Sequence, residues 1–284
     1  MLPFDTDTSV ANVSAYFDVY GCAEWDRLAA DPAGLVSFEL HRRMLDRHIR
    51  PGFRVLEIGP GSGRFSVELA RLGATIVAAD ISPVQLGLHE QTMRAAGVEH
   101  VVTDRVVCDV RDVSRWRRGD FDAVVVYGGP ISYAFDDAER ATAGLLSLVD
   151  HGAIVLGSVM SLLGSWRLFM PGIVRGIARG GATMQDMRTV WETGDTRHQP
   201  GQVHVCRLFR AHEVTEMINA GGGEVLEMSA SGWGVHCGAD VLEPVTGDPE
   251  LWKQFLDLEE RSCAAPGALD GSSHILFAAR SRPR

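Results

Sequence analysis

At 284 residues, with 45% hydrophobic against 23% charged residues, the chain is long enough to bury a full α/β core with attachments and too apolar for general disorder. Its 27 Lys and Arg stand against 37 Asp and Glu, a formal charge of −10 that repels polyphosphate and anionic membrane, so nucleic acid is not the expected substrate. Five cysteines, odd in number and without a CxxC pair, indicate neither a zinc ribbon nor a disulfide framework.

Residues 1–10 carry acids and hydroxyls where a signal peptide would place a basic start and an apolar core, so the sequence reads as cytoplasmic. From Ser9 to about Ile49 the pattern is helical, with Asp31 as N-cap and Pro32 in the first turn of one helix. Residues 1–50 are therefore expected to form an N-terminal helical lid. Tyr16, Phe17, Tyr20 and Trp25 cluster there, either as ordinary packing or as lining of a closed site.

Short apolar runs then alternate with amphipathic ones. Arg54 to Ile58, Thr75 to Ala79, Val102 to Val107, Phe121 to Tyr127 and Ala153 to Ser158 read as buried strands, with helices expected in every gap. Arg111, Arg115, Arg117 and Arg118 read as a solvated helix face. Repeated strand and helix predict a parallel, doubly wound α/β sheet over residues 51–158. Gly152 to Trp166, the most apolar stretch, is too short to span a bilayer and reads as a strand running into a loop, so no membrane insertion is expected.

Residues 159–202, rich in Gly, Met and Trp, read as a helical cap inserted over the sheet. Residues 203–284 should complete it. Val203 to Leu208 carries a weak strand signal, Ala211 to Ala220 a helix ending at three glycines, and Glu224 to Ser229 and Ser273 to Ala279 two more strands, which makes a mostly parallel sheet of seven. Gly238 to Pro249 and Cys263 to Ser273 have the composition of loops.

The most informative segment is Val55-Leu56-Glu57-Ile58-Gly59-Pro60-Gly61-Ser62-Gly63, a strand ending in glycines and opening a helix at about Ser62. Glycines there permit a tight turn and a close ligand approach to main-chain N–H groups. A dinucleotide fingerprint would place glycine at 64, where this chain has Arg64. The second strand ends in Asp80, the third in Cys108-Asp109-Val110, and the fourth runs into Tyr127-Gly128-Gly129-Pro130.

In this order and spacing the segments resemble class I S-adenosylmethionine-dependent methyltransferases, similar to the small-molecule group that includes ubiquinone-type and methyltransferase-11-like domains. The resemblance implies a Rossmann-like methyltransferase fold and S-adenosylmethionine as cofactor. Gly59, Gly61 and Gly63 would shape the loop at its methionine portion, with Glu57 orienting the ammonium. Asp80, with Ile81, and Asp109, with Val110, would hold the nucleoside, while Tyr127 and Gly128 line the transfer site. The implied reaction moves a methyl group to an O, N or C atom of a small, partly apolar molecule such as a secondary metabolite. Two other readings are a non-methylating reaction, such as cyclisation, steered by the same cofactor, and a nicotinamide-dependent oxidoreductase, which the alternate-glycine spacing disfavours.

A sulfonium methyl group is already activated, so in-line placement of the acceptor is the main requirement and a base is optional. If the acceptor is a hydroxyl, His204 is the candidate base, or else a hydrogen-bonded histidine on a half-buried strand. Tyr127 and Tyr133 are the other candidate catalytic groups. Tyr16, Tyr20, Ser132, Tyr133, Trp166 and Arg207 are the candidate acceptor pocket, with Arg207 on the opposite strand face from His204 if pairing is regular. His236 beside Cys237, and His204 near Cys206, lack the ligand number for a metal. A monomer or homodimer acting on a small-molecule acceptor is expected.

Overall fold

The computed structural model describes residues 13–19, 31–200, 204–237 and 239–283. Among these, seven runs become strands: β1 (Arg54–Ile58), β2 (Thr75–Asp80), β3 (Val102–Val107), β4 (Phe121–Val126), β5 (Val149–Met160), β6 (Gly223–Ala230) and β7 (His274–Ser281). They form one sheet of order β3-β2-β1-β4-β5-β7-β6. The first five strands pair in parallel, and β7 lies antiparallel to both β5 and β6. This is the mostly parallel, doubly wound seven-stranded sheet that the alternation predicts.

Alternate residues supply two separate cores. Leu56, Ile58, Val124 and Val126 face one layer, packed under helices α4 (Ala138–Leu148) and α7 (Ala211–Ala220). Val55, Ile76, Ala123 and Val125 face the other, under α1 (Pro32–His48), α2 (Arg64–Arg71), α3 (Pro83–Ala95) and α9 (Pro249–Cys263). Strands covered on both faces are almost continuously apolar, as a parallel sheet requires. Helix α1 starts as read, with Pro32 in its first turn and the Asp31 carboxylate accepting from the Gly34 N–H at 2.8 Å.

Several expectations need correction. No helix fills the gap between β3 and β4, so Arg111, Arg115, Arg117 and Arg118 sit on turns rather than on a helix face. Asp109, Asp112 and Asp120 each accept a nearby backbone N–H there, from Arg111, Ser114 and Arg117, and such local bonds displace the helical ladder. Helix α2 opens at Arg64, with Gly63 in the left-handed region as its N-cap, and not at Ser62. β5 starts before Ala153 and runs directly into α5 (Leu162–Ala178), capped by Ser161, where a loop was expected. Helix α6 (Met184–Thr193) also falls in the segment read as a cap, and α8 (Ala239–Thr246) occupies part of the segment read as loop.

The described part of Val203 to Leu208 is not a strand. Its backbone makes single bonds to different neighbours: Arg207 N–H to the Ser132 carbonyl, Leu208 N–H to the Gly194 carbonyl, and Cys206 N–H to Thr196 Oγ1. Residues 204–209 thereby stitch the cap onto the carboxyl end of the sheet, and Asp195–Arg207 and Ser161–Phe209 are isolated bridges. Among the described residues no helix is long and apolar enough to cross a membrane.

Candidate functional site

The carboxyl ends of β1, β2 and β4 converge, which is where an open parallel sheet binds ligands. The Gly59 N–H donates to the Ala79 carbonyl at 2.8 Å and the Cys108 N–H to the Asp80 carbonyl at 2.9 Å, so the strand ends stay in register beyond the strands themselves. Gly59, Gly61 and Gly63 all have positive φ. At Gly59 a β-carbon would stand 2.5 Å from Pro130 Cγ, and at Gly63 one would stand 2.9 Å from the His89 ring. The loop thus needs glycine for both conformation and space.

Asp80, 6% exposed, clamps this loop: its carboxylate accepts from the Gly61 N–H at 3.1 Å and the Ser82 N–H at 2.9 Å. Asp109 is held by Arg111, whose Nε and Nη2 reach its two oxygens at 2.7–3.1 Å. Gly59, Gly61, Asp80, Ile81, Asp109, Val110, Tyr127 and Gly128 together line one cleft, joined by Phe17 and Tyr133. The cleft encloses about 90 Å³, narrowed by Val13 and Phe17 of the helical segment 13–19. Ser14 donates to the Ile81 carbonyl at 3.3 Å and Gln85 to the Phe17 carbonyl at 2.9 Å, which ties that segment across it.

Glu57 and Gly63 lie behind the cleft rather than on it. Glu57 is 2% exposed and heads a buried chain of hydrogen bonds. Ser66 Oγ donates to Glu57 Oε2 at 2.6 Å, His89 Nε2 lies 2.9 Å from Ser66 Oγ, and Arg105 Nε donates to His89 Nδ1 at 3.0 Å while its guanidinium pairs with Glu99. Arginine has only donors, so Nδ1 is the acceptor and the neutral ring carries its proton on Nε2, aimed at Ser66. Burial pushes the Glu57 carboxyl up to about 7, against the Ser66 bond and helped by the Asp80 charge. Burial, with the Arg105 charge, pushes His89 down to about 4.

These opposite shifts predict a compensated pair. A carboxyl raised from 4.5 to about 7 contributes stability that is full below pH 4.5 and lost as pH rises through 7. A histidine lowered from 6.5 to about 4 contributes stability that is full above pH 6.5 and lost as pH falls through 4. Between pH 4.5 and 6.5 the two slopes cancel in the wild type. Relative to it, Glu57→Gln should become more stable with rising pH, and His89→Gln less stable, each by up to about 1.4 kcal/mol per pH unit. Urea midpoints across this range measure it, and variants that both track the wild-type slope would contradict the pairing.

A second, larger cavity of about 900 Å³ opens beside the cleft, and Phe17, Gly128 and Tyr133 line both. Tyr16, Trp166 and His204 are on its wall, with Phe169 and Trp191 from the cap helices. Tyr133 Oη and His204 Nε2 are 2.6 Å apart, and the Tyr16 ring stacks on the imidazole with centroids 4.8 Å apart. The structure thus brings Tyr133 and His204 together where the two cavities meet. The Cys206 thiol, also on the wall, is pushed up to about 12 by burial.

The other candidates sit elsewhere. The Tyr127 hydroxyl donates to the His41 carbonyl at 3.4 Å, and burial holds its phenol well above the usual range. Ser132 is fully buried, its Oγ accepting from the Met160 N–H at 2.9 Å, and does not line the cavity. Arg207 is also absent from the lining, its Nη1 bonded to the Phe135 carbonyl at 3.4 Å and to Glu139 at 3.1 Å. Tyr20 and Trp25 lie outside the described residues. Sequence reasoning missed Arg175 and His274 on the cavity wall, and the Ser66–His89–Arg105 chain behind the loop.

Residues 55–152 match the family model of the methyltransferase domain. Tuberculostearic acid methyltransferase UfaA1 of Mycobacterium tuberculosis is 36% identical over 143 residues, 48% of this chain and 32% of that protein. Magnesium-protoporphyrin O-methyltransferase of Rhodobacter capsulatus is 35% identical over 104 residues, 37% of this chain and 44% of that protein. The matches thus span less than half the length of these curated relatives. The magnesium protoporphyrin IX methyltransferase (ChlM) structure from Synechocystis PCC 6803 with bound SAM shares the fold, with a TM-score of 0.57, 14% identity and 99% of each chain covered.

Proposed function

Residues 55–152 being a methyltransferase domain, we propose that the protein is an S-adenosylmethionine-dependent methyltransferase acting on a hydroxyl of a small, largely apolar molecule. The observation that supports it most is the meeting of two cavities at Tyr133 and His204, one edged by the glycine loop and two strand-end acids, the other aromatic.

The residues present fit the cofactor. The cradle at Gly59, Gly61 and Gly128 leaves main chain open to the methionine portion, where a β-carbon at Gly59 would strike Pro130. Asp80 would accept from the ribose hydroxyls and Asp109 from the adenine amino group, each held in place by its own N–H or arginine donors. When bound, S-adenosylmethionine supplies a methyl group on a sulfonium that needs no acid to leave. A ligand of that size needs several hundred Å³, so Val13 and Phe17 must swing outward to admit it. Phe17 walls both cavities, so its return would close the acceptor side as well.

On the acceptor side, Tyr133 and His204 form the pair that takes a proton. With its Nε2 2.6 Å from the phenol, His204 can receive the hydroxyl proton either directly or by way of Tyr133. Trp166, Phe169 and Trp191 line the cavity, where an apolar acceptor would displace water from the line of transfer. Support for oxygen as the acceptor atom comes from this pair and from the O-methyltransferase relative.

Thermal unfolding and calorimetry test the cofactor. S-adenosylmethionine and S-adenosylhomocysteine should bind and raise Tm, with no comparable gain from NAD or NADP. Folded, ligand-stripped protein that binds neither sulfur nucleoside would remove the proposal.

A further inference from the structure

In a chain with ten more acids than bases, no Asp or Glu lines the 900 Å³ cavity among the described residues. Among the described residues Arg175 is its one formally charged lining side chain. Half of the described arginines are paired with carboxylates; among the described residues no ion pair involves Arg175, and α5 carries no acid to neutralise it. A cation left without a counterion at a cavity wall offers charge-assisted hydrogen bonds to whatever enters.

Its position along the helix gives the spacing. Helix α5 leaves the sheet edge at Ser161, and Arg175 stands 14 residues further on. At 1.5 Å per residue this is roughly 20 Å of helix. Trp166, Phe169 and Ile173 line the stretch between, and the Tyr133–His204 pair marks the end shared with the cofactor cleft.

We infer that the acceptor is an elongated, mostly apolar molecule bearing an anionic group, a carboxylate, sulfate or phosphate, which Arg175 receives at the end remote from the methylated atom. The inference rests on the methyltransferase reading for which end is which. Arg175 is therefore a specificity residue for the acceptor rather than a group that touches the transferring methyl.

Two fluorescent probes with the same aromatic body test it: 8-anilinonaphthalene-1-sulfonate, which is anionic, and N-phenyl-1-naphthylamine, which is neutral. Arg175→Gln should weaken the sulfonate probe about fivefold, the scale of one partly exposed charged contact, and leave the neutral probe within twofold. Arg179→Gln, one turn on and outside the cavity lining, should leave both unchanged. Equal losses of both probes, no loss of the sulfonate probe, or the same loss from Arg179→Gln would overturn the inference. S-adenosylhomocysteine titrated into the same samples separates the two claims. Binding of it without sulfonate discrimination defeats only the anionic acceptor, whereas its failure to bind defeats the methyltransferase reading.

Discussion

His204→Ala is expected to lower kcat about a hundredfold while leaving the Kd for S-adenosylhomocysteine nearly unchanged, because a positioned base typically contributes that much. The imidazole lines the acceptor cavity and not the cofactor cleft, so its loss should spare nucleoside binding. Tyr133→Phe removes the partner 2.6 Å away and tests whether the pair acts as a unit. If it does, the double variant should be little worse than either single one. The pH profile supplies the readout that packing alone would not move, since the wild type should show an ionisation that His204→Ala lacks. A variant with normal kcat, an unchanged profile and a lowered Tm would make His204 a packing residue stacked on Tyr16.

The Asp80→Ala variant should weaken cofactor binding by about 1.5–3 kcal/mol, ten- to a hundredfold in Kd, through the loss of hydrogen bonds to a charged acceptor. Two losses would combine: the carboxylate proposed to accept from the ribose hydroxyls, and the clamp on the Gly61 and Ser82 N–H groups that shapes the loop. A secondary effect identifies the clamp in the folded protein. The Asp80 charge helps raise the Glu57 carboxyl, so removing it should move the Glu57 titration to lower pH. Calorimetry reads the affinity and NMR of the Glu57 carboxyl reads the shift. A Kd within twofold of wild type would confine Asp80 to organising the turn.

What the sequence disclosed and what it hid follow the same physical line. β1 and β2 were legible because strands buried on both faces must be apolar runs, and Asp80 and Asp109 were legible because acids at the ends of such runs are conspicuous. Residues 108–120 misled because helix and Asx-turn compositions overlap, and only the bonds from Asp109, Asp112 and Asp120 decide between them. The segment read as a strand at Val203 to Leu208 misled because, in its described part, the backbone bonds go to Thr196, Ser132 and Gly194, three segments that no local pattern could name. Tyr133 and His204 were both picked out, but their contact is made across 71 residues and rests on that stitching. The chain from Glu57 to Arg105 joins β1, α2, α3 and β3, so it becomes visible only once the sheet order is known. Arg175 lay hidden because a helix pattern does not say which of its arginines meets a cavity.

The placement of β7 between β5 and β6 has a consequence for biosynthesis. Strands β2 to β5 can join the sheet as they emerge, since each finds a neighbour already made. β6 cannot, because its sheet partner is β7, which is translated after it. Until β7 is released, β5 keeps an unpaired edge through the whole translation of residues 161–273. At 5–20 residues per second this lasts on the order of ten seconds, with Ile154, Val155, Leu156 and Val159 on that edge strand. Open apolar edges recruit other strands, so the nascent chain is exposed to mispairing over that interval. The speed of elongation across the cap, rather than the stability of the finished sheet, sets how long the hazard lasts.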